Sequence, residues 1–481
     1  MADANIRHPM RWTGGTWNKP LIQHNKKRAR FFLYSIPIFF FVMTIATAVA
    51  VVYMGIEAPW LYIDYESEES VRLFREYLRI DTSFPTGNEI AGAEFLAREL
   101  KRLGLEPEVH RLGHRNAAVW ATLEGRETGA LALHSHMDVD PIKDLGSWQY
   151  PPFSPYIELP FIIGRGAFDM KSLAIAQLMA VKELVESGET PRRSVVFLAT
   201  GDEEHEDSRL GTRWFIDNYP QVWNRFELVL TEGGAIEAID PEEIKYWGTE
   251  TIQKRYLDFE ICSSNLGALE GLRNDMANAR IDVTADELPE EIVEYLRDYV
   301  STRARDDLLP YLEAALVNGA MADLLPANVR DMMSHRIAVG PVTLNPNGGG
   351  YKFIGSIHLL PWASDDVLDE LLPDLSSFGV TIDTPHGPLP FEGLESEALT
   401  IMGEIVGEAF PGVTHGPLFV PWAATDSRYF RSRGIQALGF SPFVILSTDA
   451  AKITGPNERM VAPAFLEGVE LYTKLVQRLV E

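Results

Sequence analysis

Short apolar runs alternate with amphipathic stretches from about Ser70 to Glu237. Ala130 to Leu133 and Ser194 to Leu198 are mostly or wholly apolar, the pattern of strands buried on both faces. Ala91 to Leu103 and Leu173 to Ser187 instead carry apolar residues at helical spacing. Alternation of this kind predicts an α/β fold, a mostly parallel sheet flanked by helices. From about Ile244 to Asp383 the pattern changes to longer helical stretches, Glu290 to Arg303 and Asp307 to Val317. These lead to the turn-rich Asn345-Pro346-Asn347-Gly348-Gly349-Gly350. We read this part as a smaller α+β domain inserted into the first. The chain then returns to apolar strands and ends in a helix over Ala464 to Val480. The expected organisation is a sheet domain over 60–243 and 384–481, interrupted by an insert over 244–383. With 481 residues and 46% apolar content, the chain can bury more than one core.

The N-terminus reads differently. Residues 31–54 form a charge-free stretch of 24 residues with one proline, enough to cross a bilayer as a helix. Seven basic residues precede it (Arg7, Arg11, Lys19, Lys26, Lys27, Arg28 and Arg30) against Asp3 alone, and Glu57, Asp64, Glu66, Glu68 and Glu69 follow. The asymmetry predicts a basic cytosolic tail over 1–30, a transmembrane helix over 31–54, and the remainder outside the cytosol. Ala48-Val49-Ala50 has the pattern of a cleaved signal, but the long polar lead favours a retained anchor. Trp12, Trp17 and Trp60 suit a membrane interface or a contact with a larger membrane assembly. The net charge is −26, and setting aside the basic tail leaves the rest more acidic still, which argues against nucleic acid as a partner. Cys262 is the only cysteine, so no internal disulfide forms. The chain also lacks any Asn-x-Ser/Thr sequon, which favours a periplasmic over a eukaryotic secretory location.

The candidate chemistry lies in four segments in order: ALHSHMDVDP at 132–141, GRGAFDMK at 164–171, ATGDEEHED at 199–207 and TEGG at 231–234. On an extended chain His136 and Asp138, two apart, point the same way, so the carboxylate can fix the imidazole tautomer. Asp169 stands at a strand-to-helix junction, suited to bridging. Glu203 and Glu204 are adjacent carboxylates that repel unless a cation lies beside them, one serving as ligand and the other as general base. A few N and O ligands with a carboxylate base are the requirements of a zinc hydrolase site.

Together with Trp148, Pro151-Pro152-Phe153, AATDSRYF at 423–430, Leu438-Gly439-Phe440 and GPNER at 455–459, these motifs resemble peptidase family M20 over about residues 70–475. The resemblance is to the branch of carboxypeptidase S, aminoacylase-1 and the secreted N-acyl amino acid hydrolases. It implies a zinc-exopeptidase-like catalytic domain with an inserted lid, often a dimerisation surface. By this resemblance His136, Asp169 and Glu232 would hold one zinc. Asp169 would bridge to a second, bound by Glu204 and a C-terminal histidine. Glu203 would be the base and Asp138 would orient His136. The implied reaction is attack of metal-polarised water on an amide next to a free carboxylate, in a small peptide or N-acyl amino acid.

The chain also departs from the family pattern. Thr454 stands where the last ligand histidine belongs, and a neutral hydroxyl is a poor zinc ligand. Asp449 nearby could substitute. The lid stretch Glu260-Ile261-Cys262-Ser263-Ser264-Asn265 has no substrate-binding histidine. His358 replaces the arginine that grips the substrate carboxylate, and imidazole cannot form the bidentate fork. Arg428 could compensate. The substrate-binding candidates are therefore Arg428, His358 and Asn345, with His205 as an extra ligand beside the Glu pair. Two readings follow: a membrane-anchored hydrolase with one or two zinc ions, or an inactive binding or scaffold subunit.

Overall fold

The structure, a computed structural model, describes residues 63–481 apart from 205–208, 241–242, 305, 347, 383–393 and 446. The basic tail, the apolar segment 31–54 and the 383/384 boundary therefore lie outside the described residues. Among the described residues no helix is long and apolar enough to cross a membrane.

Nine strands form the large sheet: β1 (Glu108–Leu112), β2 (Asn116–Leu123), β3 (Ala130–His136), β4 (Ser194–Thr200), β5 (Phe226–Thr231), β6 (Ala235–Asp240), β7 (Glu243–Gln253), β8 (Thr414–Val420) and β9 (Gln436–Gly439). Their order is β1-β2-β4-β3-β5-β9-β7-β8, with β6 paired to β7. The central β4, β3, β5 and β9 run parallel, from Ala130↔Ser194 at one end to Gly439↔Thr231 at the other. Among the flanking pairs β1–β2, β2–β4, β6–β7 and β7–β9 are antiparallel, while the edge pair β7–β8 is parallel. The sheet is thus mixed, a correction to the mostly parallel one expected. Three residues separate β1 from β2 and two separate β6 from β7, and connections that short can only form antiparallel pairs.

The parallel centre is buried as its apolar runs require, since every residue of β3 and β4 is inaccessible. The helix Lys171–Ser187 covers it and packs against the C-terminal helix Ala462–Val480. It is apolar nearly all round, as a helix enclosed on most sides must be, and Gly188 ends it in the left-handed region (φ 70°). The helix Glu89–Arg102 starts where the Asn88 side chain accepts from the Ala91 amide.

A second, antiparallel sheet is built from Arg255–Ser263, Arg280–Asp282, Ser334–Val339, Thr343–Leu344, Tyr351–Leu359 and Gly379–Ile382. Arg255–Ser263 alternates buried and half-buried positions, and its Leu257, Phe259 and Ile261 pack on Leu269, Leu272 and Met276 of the helix Leu266–Ala277. The chain enters this sheet at Arg255, so the expected 244 boundary falls inside β7, a strand of the large sheet. The helix expected over Glu290 to Arg303 is α-helical to Asp298 and continues as a π-turn over Tyr299–Ala304. A small third sheet pairs Arg459–Val461 with Phe161–Ile163, which sets the loop after Thr454 against the loop before Asp169.

Candidate active site

Three parallel strands deliver the acidic cluster. β3 ends at His136, β4 at Thr200 and β5 at Thr231, and the residues just beyond them carry Asp138, Glu203, Glu204 and Glu232. The carboxyl edge of such strands is where open α/β sheets place their ligands. Asp169 arrives from the loop in front of the helix Lys171–Ser187.

The fully buried His136 imidazole is the hub. Its Nδ1 lies 3.0 Å from the Asp138 backbone carbonyl and 3.6 Å from the Asp138 carboxylate. With Nδ1–H donating there, Nε2 is the nitrogen that faces Asp169 Oδ1 at 3.2 Å and Glu232 Oε2 at 3.3 Å, and on losing its proton it could ligate a cation. The Asp138 carboxylate also accepts the Glu204 amide at 2.9 Å, so one residue fixes both the ring and the acidic loop. Two ligand triads result, His136–Glu203–Glu232 and His136–Asp169–Glu204, each with ligand atoms within 4.8 Å of one another.

The electrostatics show what these residues want. Burial, with Glu232 beside it, drives the Glu203 carboxyl well above the usual range; burial and Asp169 do the same to Glu204. Glu232 is pushed up to about 7 by burial, against the opposing pull of His136. Burial would lower His136, yet Glu232, Asp138 and Asp169 together raise it well above its ordinary value. Buried Glu204 Oε1 and Asp138 Oδ1 have no hydrogen-bond partner. One imidazole, several crowded carboxylates and an orphaned carboxylate oxygen fit a divalent cation such as zinc, which His136, Asp169, Glu204 and Glu232 would hold.

Glu458 and Arg165 were not legible as site residues, although GPNER and GRG contain them. Glu458 is 1% exposed and accepts the amides of Gly166, Phe168 and Asp169 at 3.1, 2.8 and 3.1 Å. Arg165 donates to it at 2.6 Å and to the Thr454 carbonyl at 2.8 Å. A carboxylate thus templates the loop that presents Asp169. His134 was also missed. It lies two residues before His136 on the same strand, with Nδ1 2.8 Å from Thr231 Oγ1 and Nε2 3.0 and 2.9 Å from the hydroxyls of Thr200 and Thr212. Thr212 in turn donates to Asp426 at 2.6 Å. This polar layer ties together the ends of β3, β4 and β5 beneath the ligands.

Burial drives the His134 imidazole down from 6.5 to about 3, so it folds neutral. The unfolded chain takes up the proton first, and stability present above pH 6.5 is lost as pH falls toward 3. His134→Asn should therefore lessen the acid sensitivity of urea unfolding across that window. An unchanged slope against wild type would refute the neutral assignment.

The other candidates are placed as follows. Burial would lower Arg428, but Tyr429, Asp426 and Glu203 raise it, and it donates to Tyr429 Oη at 3.1 Å. His358 sits in the second sheet, stacked on Tyr256 with ring centroids 4.1 Å apart and bonded to Ser356 Oγ at 2.7 Å. Burial lowers it to about 3, so it is neutral and offers no cation to a carboxylate. Asn345 donates to Cys262 Sγ at 3.3 Å in the second sheet's turn. Neither His358 nor Asn345 lines the cavity beside the cluster. Asp449 is buried and paired with Arg459, and it belongs to neither triad, which argues against it as the substitute ligand. His205 lies outside the described residues. Thr454 adopts φ 59°, a left-handed conformation uncommon for a β-branched residue.

The model of peptidase family M20/M25/M40 matches residues 132–478. Aminoacylase-1A of Rattus norvegicus is 28% identical over 439 residues, covering 86% of this chain and 96% of that protein. Among solved structures, the M20 family metallo-carboxypeptidase Sso-CP2 from Sulfolobus solfataricus superposes with a TM-score of 0.62 at 18% identity, over 85% of this chain and 99% of that one. Human carnosine dipeptidase 1 gives 0.60 at 15% identity, over 89% and 99%. The family match covers most of the chain, including all five residues of the acidic cluster and His136, and the chain is therefore a member of peptidase family M20/M25/M40, a metal-dependent hydrolase.

Proposed function

We propose that the chain cleaves an amide bond next to a free carboxylate, in a small peptide or N-acyl amino acid, while residues 31–54 anchor it in a membrane with the hydrolase on the periplasmic side. The observation that carries the reading is the convergence of Asp169, Glu204 and Glu232 on His136, with Glu203 beside them. A bound zinc supplies Lewis-acid polarisation of the carbonyl and a more acidic water. Glu203 takes the water's proton and passes it to the leaving amine. Asp138 holds the His136 tautomer, and Arg428, which feels the charge of Glu203, is the cation for the substrate carboxylate. The inactive-scaffold alternative has less support, because ligands and base stand together at one strand edge.

Thr454 in place of a histidine favours one firmly held zinc. Elemental analysis of the full chain in detergent should find about one zinc in wild type, rising toward two in Thr454→His. Histidine tolerates the left-handed conformation of this position better than threonine does. Zinc absent from wild type with zinc supplied at neutral pH would sink the hydrolase reading. Equal content in both proteins would sink the single-zinc assignment. The anchor is tested separately: deletion of residues 1–56 should release the protein from washed membranes, and retention would count against it. A dimer through the second sheet remains part of the proposal and is read by light scattering.

A further inference from the structure

The loop that carries Glu203 is fastened on both sides of it. After it, the Glu204 amide donates to the Asp138 carboxylate at 2.9 Å. Before it, Asp202 holds φ 64° and its carboxylate accepts the Leu210 amide at 2.9 Å. One residue earlier stands Gly201, the first position past β4, and what touches it comes from far away in the chain. The buried Glu89, first residue of the helix Glu89–Arg102, fills the room where a side chain at 201 would stand. A methyl group on Gly201 would lie 1.7 Å from Glu89 Oε2 and 2.4 Å from the carboxyl carbon. Gly201 lies outside the left-handed region, so its backbone does not call for glycine, whereas the Glu89 carboxyl does. Resting on Glu203 as the base in the reading above, we propose that Glu89 is a positioning residue for that base, fixing where Glu203 stands by pressing on Gly201 two residues before it.

Glu89 is itself held in place. Its Oε1 accepts from Asn116 Nδ2 at 2.9 Å and lies 3.9 Å from the Arg115 guanidinium, and its Oε2 accepts the Ala117 amide at 3.4 Å. These partners stand in or beside β2, which pairs with β4, so the helix, the strand pair and the base loop meet at one carboxyl. Burial, with Asp138 and Asp202 adding to it against the pull of Arg115, pushes that carboxyl up to about 9. At neutral pH it is uncharged and adds no negative charge behind Glu203, so what it contributes is shape. Gly211 closes on Gly201 as well, since a methyl there would fall 1.9 Å from the Gly201 carbonyl oxygen. Gly201 is thus gripped by two separate parts of the chain, and any shift of it reaches Glu203 through a single residue. Misplacing a reacting group by about 1 Å can cost about 10²-fold in rate.

Glu89→Ala in the full chain empties the room beside Gly201. Its kcat for N-acyl amino acid hydrolysis should fall by about tenfold or more, with KM within about twofold and zinc content unchanged. Glu89→Gln keeps the shape of a neutral acid and should stay within about threefold of wild type. Gly201→Ala approaches the same contact from the other side and should also lose about tenfold or more in kcat. In Glu89→Asp/Gly201→Ala the acid withdraws by one methylene and the new methyl takes its place, so about fivefold or more of that loss should return. This pair carries the test if Glu89→Ala does not fold. Wild-type kcat in Glu89→Ala, equal losses in the Ala and Gln variants, a loss confined to KM or zinc, or a double variant no better than Gly201→Ala overturns the proposal. If wild type hydrolyses nothing, the catalytic reading falls by itself, and amide hydrogen exchange over residues 200–204 still decides the clamp. Exchange about tenfold or more faster in Glu89→Ala than in Glu89→Gln supports it, and equal exchange overturns it.

Discussion

Glu203→Gln is expected to lower kcat for N-acyl amino acid hydrolysis by about 10² to 10⁴-fold, with zinc content unchanged. Glutamine keeps the side chain's size and can still accept a hydrogen bond, but it cannot take a proton. Glu203 is suited to proton transfer because burial and the neighbouring Glu232 favour its protonated form. A cation in the cluster would offset the contribution of Glu232, leaving burial as the cause that keeps Glu203 basic. The residues that would keep the metal in the variant are His136, Asp169, Glu204 and Glu232, so the substitution separates binding from chemistry. Stopped assays with matched elemental analysis check the expectation. A variant that loses zinc as well would move Glu203 from base to ligand, in line with its place in the His136–Glu203–Glu232 triad. A variant of wild-type kcat would remove it from the mechanism.

The site was legible because each ligand follows an apolar run that could only be a buried strand. His136 after Ala130 to Leu133 and Glu203-Glu204 after Ser194 to Leu198 fall at the strand ends the pattern implied. What the pattern did not carry was anything set by tertiary contact. The flanking strands β2 and β7 read like their parallel neighbours, since strand direction is decided by connection length and not by composition. His134 lies in the same motif as His136 and looks equivalent in sequence. It sits one pleat further into the strand, where its ring is enclosed among hydroxyls from strands 66 and 97 positions away and cannot reach the acidic residues beyond the strand ends. Glu458 is a similar case, because a glutamate in a Gly-Pro-Asn turn reads as a solvated loop residue. Its partners lie almost 300 positions earlier in the chain.

Glu458→Ala should destabilise the protein by about 3 to 5 kcal/mol, the cost of leaving a buried charge without its partner. Arg165 is 2% exposed, and its Nη1 donates only to Glu458 among the described contacts. The same substitution strips an acceptor from the amides of Gly166, Phe168 and Asp169. Unsatisfied buried amides add to the loss. Glu458→Gln is the informative companion. It keeps one oxygen for the amides and removes the charge, so it should retain part of the stability while losing the strong pairing with Arg165. The loop these contacts hold presents Asp169, which the two ligand triads place beside His136 and Glu204. Loss of zinc affinity should therefore accompany loss of stability in both variants, in the same order. Urea unfolding of the zinc-free proteins gives the first quantity and competition with a chelator gives the second. A Glu458→Ala protein as stable as wild type would mean that water reaches Arg165 and replaces the carboxylate. A destabilised protein with undiminished zinc affinity would show that Asp169 is held by the helix Lys171–Ser187 and not by the loop.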